Sequence, residues 1–107
     1  MDSVRLNFRK RILNVFFDVI ALKYISENGS LAGYDFMMWI HKRYGVMLSS
    51  GTVYTKIHSL DRKELIRGEW GERKKVYALT KKGEAFLKSI LTDPTSEQFL
   101  KLLEKPL

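Results

Sequence analysis

Cysteine is absent from the 107 residues, which excludes disulfides and cysteine-containing zinc sites and is compatible with a reducing compartment. His41 and His58 have no partner at the His-x-x-x-His spacing of a metal-binding helix. No phosphate-binding loop or nucleophile motif accompanies the carboxylates Asp18, Glu27, Asp35, Asp61, Glu64, Glu69 and Glu72, which fall mostly on faces expected to be polar. An enzyme is therefore the least favoured class, and no catalytic, metal or cofactor residue is assigned. A nuclease would need carboxylates converging on a divalent ion, which only three-dimensional structure can decide. Long apolar runs are missing too. The stretch after Arg9-Lys10-Arg11 superficially resembles a signal peptide, but Asn14, Asp18 and Lys23 interrupt it well short of the roughly 20 residues that span a bilayer. The expectation is a soluble cytoplasmic protein with no membrane partner.

The length suits one domain with a single modest core. The net charge is +7 and unevenly spread. Residues 1–48 carry seven basic and four acidic side chains for +3, residues 49–82 nine and four for +5, and residues 83–107 three and four for −1. A positive field centred on residues 49–82 favours a polyanionic partner, nucleic acid ahead of an anionic membrane surface.

The stretch 49–65, SSGTVYTKIHSLDRKEL, predicts a capped helix with two unlike faces. At about 100° per residue, Val53, Ile57 and Leu60 share one narrow arc. Thr55, His58, Ser59 and Arg62 point the other way, with Thr52, Tyr54, Lys56 and Lys63 on the flanks. Ser49 or Ser50 caps the first turn. Hydroxyls, an imidazole and cations on one face suit a DNA major groove, although most surface helices carry one polar face.

Around it, residues 9–27 predict a helix whose apolar arc is wider than one contact requires, the surplus being covered by the C-terminal segment or another subunit. Asn28-Gly29 stops it. Ser30 begins or precedes a second helix ending at Gly45, and Val46-Met47-Leu48 is at most a minimal strand. Residues 65–70 and 75–79 predict a hairpin around the polar turn Gly71-Glu72-Arg73-Lys74. Thr80 caps a helix over 81–91, and Asp93-Pro94 starts a last short one with Phe99, Leu100, Leu102 and Leu103 as its apolar arc. The fold class expected is mainly α with a small β-hairpin wing, a winged helix-turn-helix (α+β). Residues 1–83 are read as the DNA-binding domain and 84–107 as a helical dimerisation segment.

These residues resemble the PadR-like winged-helix transcriptional regulators. The resemblance rests on Gly33-Tyr34, on Ser49, Gly51, Thr52, Val53 and Tyr54, on Ile57, Leu60 and Asp61, and on Tyr77, Leu79, Thr80, Gly83 and Leu87. It covers roughly residues 10–91. Two positions depart from the pattern: Glu64 stands where the family usually has glycine, implying a less strained or differently shaped turn, and Gly29-Ser30 replaces the usual Gly-Pro. The C-terminal region is also short. The resemblance implies a dimeric repressor whose first and last helices join the subunits.

The DNA-binding residues expected are Ser50, Thr52, Tyr54, Thr55, Lys56, Ser59, Arg62 and Lys63 on the helix and Arg73, Lys74 and Lys75 on the wing. Arg62 and Lys63 are read as phosphate contacts or as partners of the helix dipole alone. Tyr54 combines a packed ring with a hydroxyl able to reach phosphate, and Tyr77 is read as core or hairpin structure. Arg9, Lys10 and Arg11 either lie against flanking DNA or form a frayed start. Trp39 and Trp70 are read first as core or interface packing and second as a site for a planar small-molecule effector. The function expected is a sequence-specific regulator of transcription acting as a homodimeric repressor on double-stranded DNA, associated with the nucleoid. The alternative is an architectural or protein-interaction module.

Overall fold

The computed structural model describes residues 2–105. Its elements are α1 (Asp2–Val15), α2 (Phe17–Asn28), β1 (Leu31–Ala32), α3 (Gly33–Tyr44), α4 (Ser50–Arg62), β2 (Ile66–Trp70), β3 (Lys75–Leu79), α5 (Lys81–Leu91) and α6 (Pro94–Glu104). This is the mainly α winged helix-turn-helix expected, with a three-stranded antiparallel sheet ordered β1-β3-β2. Residues 83 and 84, between which the two expected segments divide, are consecutive positions of α5.

The first helix differs from the expectation in two ways. It begins at Asp2 rather than near residue 9, and it bends at Phe16, whose φ of −103° and ψ of 18° interrupt regular geometry. Two main-chain bonds flank the bend, from the Phe16 amide to the Ile12 carbonyl and from the Ile20 amide to the Phe16 carbonyl, both 3.0 Å, and the Val19 amide turns to Asp18 Oδ1 at 2.8 Å. Neither proline nor glycine causes the bend. The two adjoining rings are seated on different elements, Phe16 edge-on to Phe99 of α6 and Phe17 edge-on to Phe36 of α3. Gly29, at φ 88°, closes α2 with its amide 2.7 Å from the Ile25 carbonyl.

The strand pairing also differs. Ser30 does not cap α3; Leu31 and Ala32 instead pair with Tyr77 and Val76, and the helix starts one residue later. Residues 46–48 form no strand. Val46 and Leu48 are buried as apolar anchors of an extended connection.

The core joins Leu13, Phe17, Leu22 and Ile25 of the first two helices to Phe36 and Ile40 of α3. It continues through Val53, Ile57 and Leu60 of α4 to Ile66 and Tyr77 of the sheet and Leu87 of α5. Each buried aliphatic side chain contributes about 1.5–3 kcal/mol by leaving water. Tyr24, Phe36 and Trp39 cluster beside them with ring centres 5.0–5.7 Å apart, Phe36 stacked on Trp39 and Tyr24 edge-on to both. Helix α6 folds back on this body, where Leu100 is buried, the Tyr44 hydroxyl donates to the Leu103 carbonyl at 2.5 Å, and Lys23 pairs with Glu104. It covers part of the wide apolar arc of the first helix. Val4, Leu6, Phe8 and Val15 of α1 and Phe86, Phe99 and Leu102 of α5 and α6 remain exposed.

Candidate nucleic-acid interface

Helix α4 starts at Ser49, whose Oγ accepts the Thr52 amide at 3.1 Å and donates to Thr52 Oγ1 at 2.8 Å. Ser49 rather than Ser50 is thus the cap. Val53 and Ile57 are wholly buried and Leu60 nearly so, which fixes the rotation of the helix. Ser50, Thr55, His58 and Arg62 consequently face solvent, and Ser59 is half-buried. Thr52 is half-buried and occupied by the cap. Tyr54 lies along one flank with its ring over Gly33, where an added Cβ would sit 2.5 Å from the ring.

The cations of α4 separate into two kinds. Lys56 is turned inward, donating to the Asn14 carbonyl at 3.0 Å with its ammonium 5.9 Å from the centre of the Phe17 ring. Asn14 correspondingly lies half-buried rather than on a polar edge. Arg62 and Lys63 are exposed at the end of the helix, where cations also suit the dipole.

The wing is tied down unevenly. Lys74 pairs with Asp35 at the start of α3 at 2.8 Å, and that carboxylate holds the ammonium above its ordinary range. Lys75 lies back over Tyr77, its ammonium 5.6 Å from the ring centre, while Arg73 is exposed at the turn. Tyr77 is buried, and burial pushes its phenol up, with the Asp61 carboxylate adding to the effect. Arg67 is a further exposed cation on β2, next to the wing cations named from sequence. Strand alternation carried the signal for it, since Ile66 must face inward.

Arg9 belongs to an ordered helix and donates to the Tyr44 carbonyl at 3.4 Å, capping the end of α3. Trp39 is packed against Phe36 and below Arg43, beside a cavity of about 270 Å³ between α2, α3 and α6. Trp70 is not core: it is 74% exposed. Among the described residues, no three His, Asp or Glu side chains gather to hold a metal ion, and no helix is long and apolar enough to cross a membrane.

The profile of the transcriptional regulator PadR-like family matches residues 21–89, about two thirds of the sequence. The chain belongs to this family. No curated protein sequence matches it. Among solved structures, a transcriptional regulator from Clostridium thermocellum is 22% identical over 87% of this chain and 91% of its own, with a TM-score of 0.67. F93 from STIV, a winged-helix DNA-binding protein, is 27% identical over 81% and 88%, with a TM-score of 0.62. Bacillus subtilis PadR, solved in complex with operator DNA, is 23% identical over 71% of this chain and 45% of that one, with a TM-score of 0.60. As a PadR-like protein the chain is a transcriptional regulator and not an enzyme.

In this PadR-like fold the turn after α4 keeps its left-handed residue although glycine is missing. Glu64 has φ 63°, its amide meets the Asp61 carbonyl at 2.9 Å, and the Leu65 amide meets the Leu60 carbonyl at 3.1 Å. That is a Schellman closure, with Leu60 and Leu65 both buried beside it. The less strained turn expected from Glu64 is therefore not found, because both main-chain bonds and the Leu65 anchor demand the same geometry. Thr80 completes the arrangement, donating from Oγ1 to the Glu64 carbonyl at 2.5 Å and accepting the Gly83 amide at 3.0 Å. At Gly83 a Cβ would lie 2.0 Å from the Leu65 carbonyl oxygen, so only glycine lets α5 approach the end of α4 this closely.

Proposed function

We propose that this protein is a homodimeric, sequence-specific repressor that binds double-stranded DNA with α4 in the major groove and the wing on the neighbouring backbone or minor groove. The observation that carries the reading is the division of α4. Val53, Ile57 and Leu60 are sealed in the core, while Thr55, His58 and Arg62 are open to solvent beside a basic hairpin. Thr55 and Ser59 are assigned to base edges. Ser50, Thr52, Tyr54, Arg62, Lys63, Arg73, Lys74 and Lys75 are assigned to phosphate and flanking contacts, and Lys56 to holding the middle of the helix against α1. The DNA-bound state of Bacillus subtilis PadR and the DNA-binding description of F93 support a duplex as the partner.

Residues 1–83 would carry DNA contact and residues 84–107, with α1, the subunit junction. The exposed Val4, Leu6 and Phe8 of α1 and Phe99 and Leu102 of α6 supply apolar area for a second copy. Repression follows from occupying a promoter on nucleoid DNA.

Selection of duplexes from a random pool in moderate salt tests the reading. A palindrome with half-sites about one helical turn apart is the expected product. Equal affinity for all duplexes would instead make the protein an architectural binder, and no retention of DNA would point to a protein partner. Sedimentation at micromolar concentration should give a dimer; a monomer would overturn the homodimer.

A further inference from the structure

We propose that the wing bends DNA by inserting Trp70 between base pairs from the minor groove beside the α4 site, so that the protein distorts its duplex as well as reading it. The inference rests on the DNA-binding reading above.

Trp70 is the most exposed large hydrophobic residue among those described. A single exposed apolar side chain means little in itself; its setting gives this one meaning. Along β2, Ile66, Gly68 and Trp70 share one face of the sheet, and the first two lie against the body, Ile66 in the core and Gly68 opposite buried Tyr77. Trp70 continues that face past the point where the body ends. Its cross-strand neighbour Lys75 would ordinarily cover the indole, but the lysine folds the other way, over Tyr77 and the bare backbone of Gly68. Gly68 makes room for it: a Cβ there would sit 2.6 Å from Lys75 Cε.

The indole is also carried rigidly. The Gly71 amide closes the turn on the Lys74 carbonyl at 2.8 Å, and the Lys74–Asp35 pair fastens the tip to α3. With Lys74 held by Asp35, the cations Arg67, Arg73 and Lys75 still outnumber Glu69 and Glu72 on the hairpin, giving it the charge to approach phosphates. An element packed beside a helix in the major groove meets the adjacent minor groove, where apolar wedges unstack base steps and kink the duplex. The flat indole presents a stacking face to any base, so it selects for ease of unstacking, and flexible pyrimidine–purine steps should be favoured beneath it.

The test uses the full chain and an end-labelled duplex of about 30 base pairs, long enough for both half-sites, enriched from a random pool by the wild-type protein. Energy transfer between the ends reports bending, and indole fluorescence reports stacking. Wild-type protein should shorten the end-to-end distance and lose Trp70 emission on binding. Trp70→Ala should bind about tenfold more weakly, leave the duplex straight and abolish the emission change, and Trp70→Phe, which also lacks the reporting indole, should retain part of the affinity and of the bend. Equal affinity and equal bending by Trp70→Ala would overturn the wedge while leaving DNA binding intact. A dimer that dissociates in Trp70→Ala would place the indole at the subunit junction and also overturn it. Failure of the wild type to retain any duplex would remove the DNA-binding reading itself, and the wedge with it.

Discussion

The ammonium of Lys56 lies 3.0 Å from the main-chain carbonyl oxygen of Asn14 and joins the middle of α4 to the last turn of α1. A lysine on the flank of a recognition helix would ordinarily be counted among its phosphate contacts. Here its charge serves the end of another helix, where carbonyls lack partners.

Lys56 and Lys63 should consequently behave differently. Lys56→Ala is expected to lower stability by about 1–2 kcal/mol and to change little in the salt dependence of DNA affinity. Lys63→Ala should leave stability within about 0.5 kcal/mol and reduce the salt slope by about 1. Denaturant melts and titrations at several salt concentrations check both, and a large slope change for Lys56→Ala would contradict its inward assignment.

Thr55 and Ser59 are the candidates for base reading. Replacing both by alanine should narrow the ratio of selected to scrambled duplex affinity by at least about tenfold, the lower range for losing base contacts. Affinity for scrambled DNA should hold nearly constant. An unchanged ratio would remove both residues from the readout.

Glu64 holds a left-handed backbone that costs a side-chain-bearing residue about 1–2 kcal/mol, partly offset by the lower entropy of its unfolded state compared with glycine. Glu64→Gly should therefore stabilise the protein by about 0.5–1 kcal/mol. A lower unfolding midpoint for this variant would show that the glutamate contributes something its exposed position does not reveal.

Asp93 is held below the ordinary carboxylate range by hydrogen bonds from the Ser96 hydroxyl and amide, at 2.7 and 3.0 Å. A depressed folded value means that the ionised cap supports α6 above the ordinary carboxylate range and that this support is lost as pH falls through the lowered value. Protection of the first-turn amides of α6, taken relative to the intrinsic exchange rate at each pH, should fall over that acid range. Asp93→Asn keeps an acceptor but removes the titration, and should flatten the response.

The parts of the fold that are written locally could be read from sequence. The Val53, Ile57 and Leu60 arc, the Ser49, Thr80 and Asp93 caps and the hairpin about Gly71 each depend on residues within a turn or two of one another. Features made by distant partners could not. A two-residue strand at Leu31–Ala32 has no pattern of its own and exists because Tyr77 and Val76 pair with it, whereas the more strand-like Val46-Met47-Leu48 finds no neighbour. The bend at Phe16 follows from rings on α3 and α6, and the engagement of Lys56 and Lys74 from Asn14 and Asp35, 42 and 39 residues away. The exposed face of α4 and the polar turn of the hairpin were thus legible as surfaces, while the division between free and occupied cations required the tertiary structure.

The short strand β1 runs directly into α3 and is also laced to the inner strand of the hairpin. The chain just ahead of the helix-turn-helix and the base of the wing therefore form one piece, like two prongs cast from a single block. A protein built this way works as a gauge: it meets targets whose features lie at the separation its own frame sets, and a shift of that separation has to be absorbed by the partner.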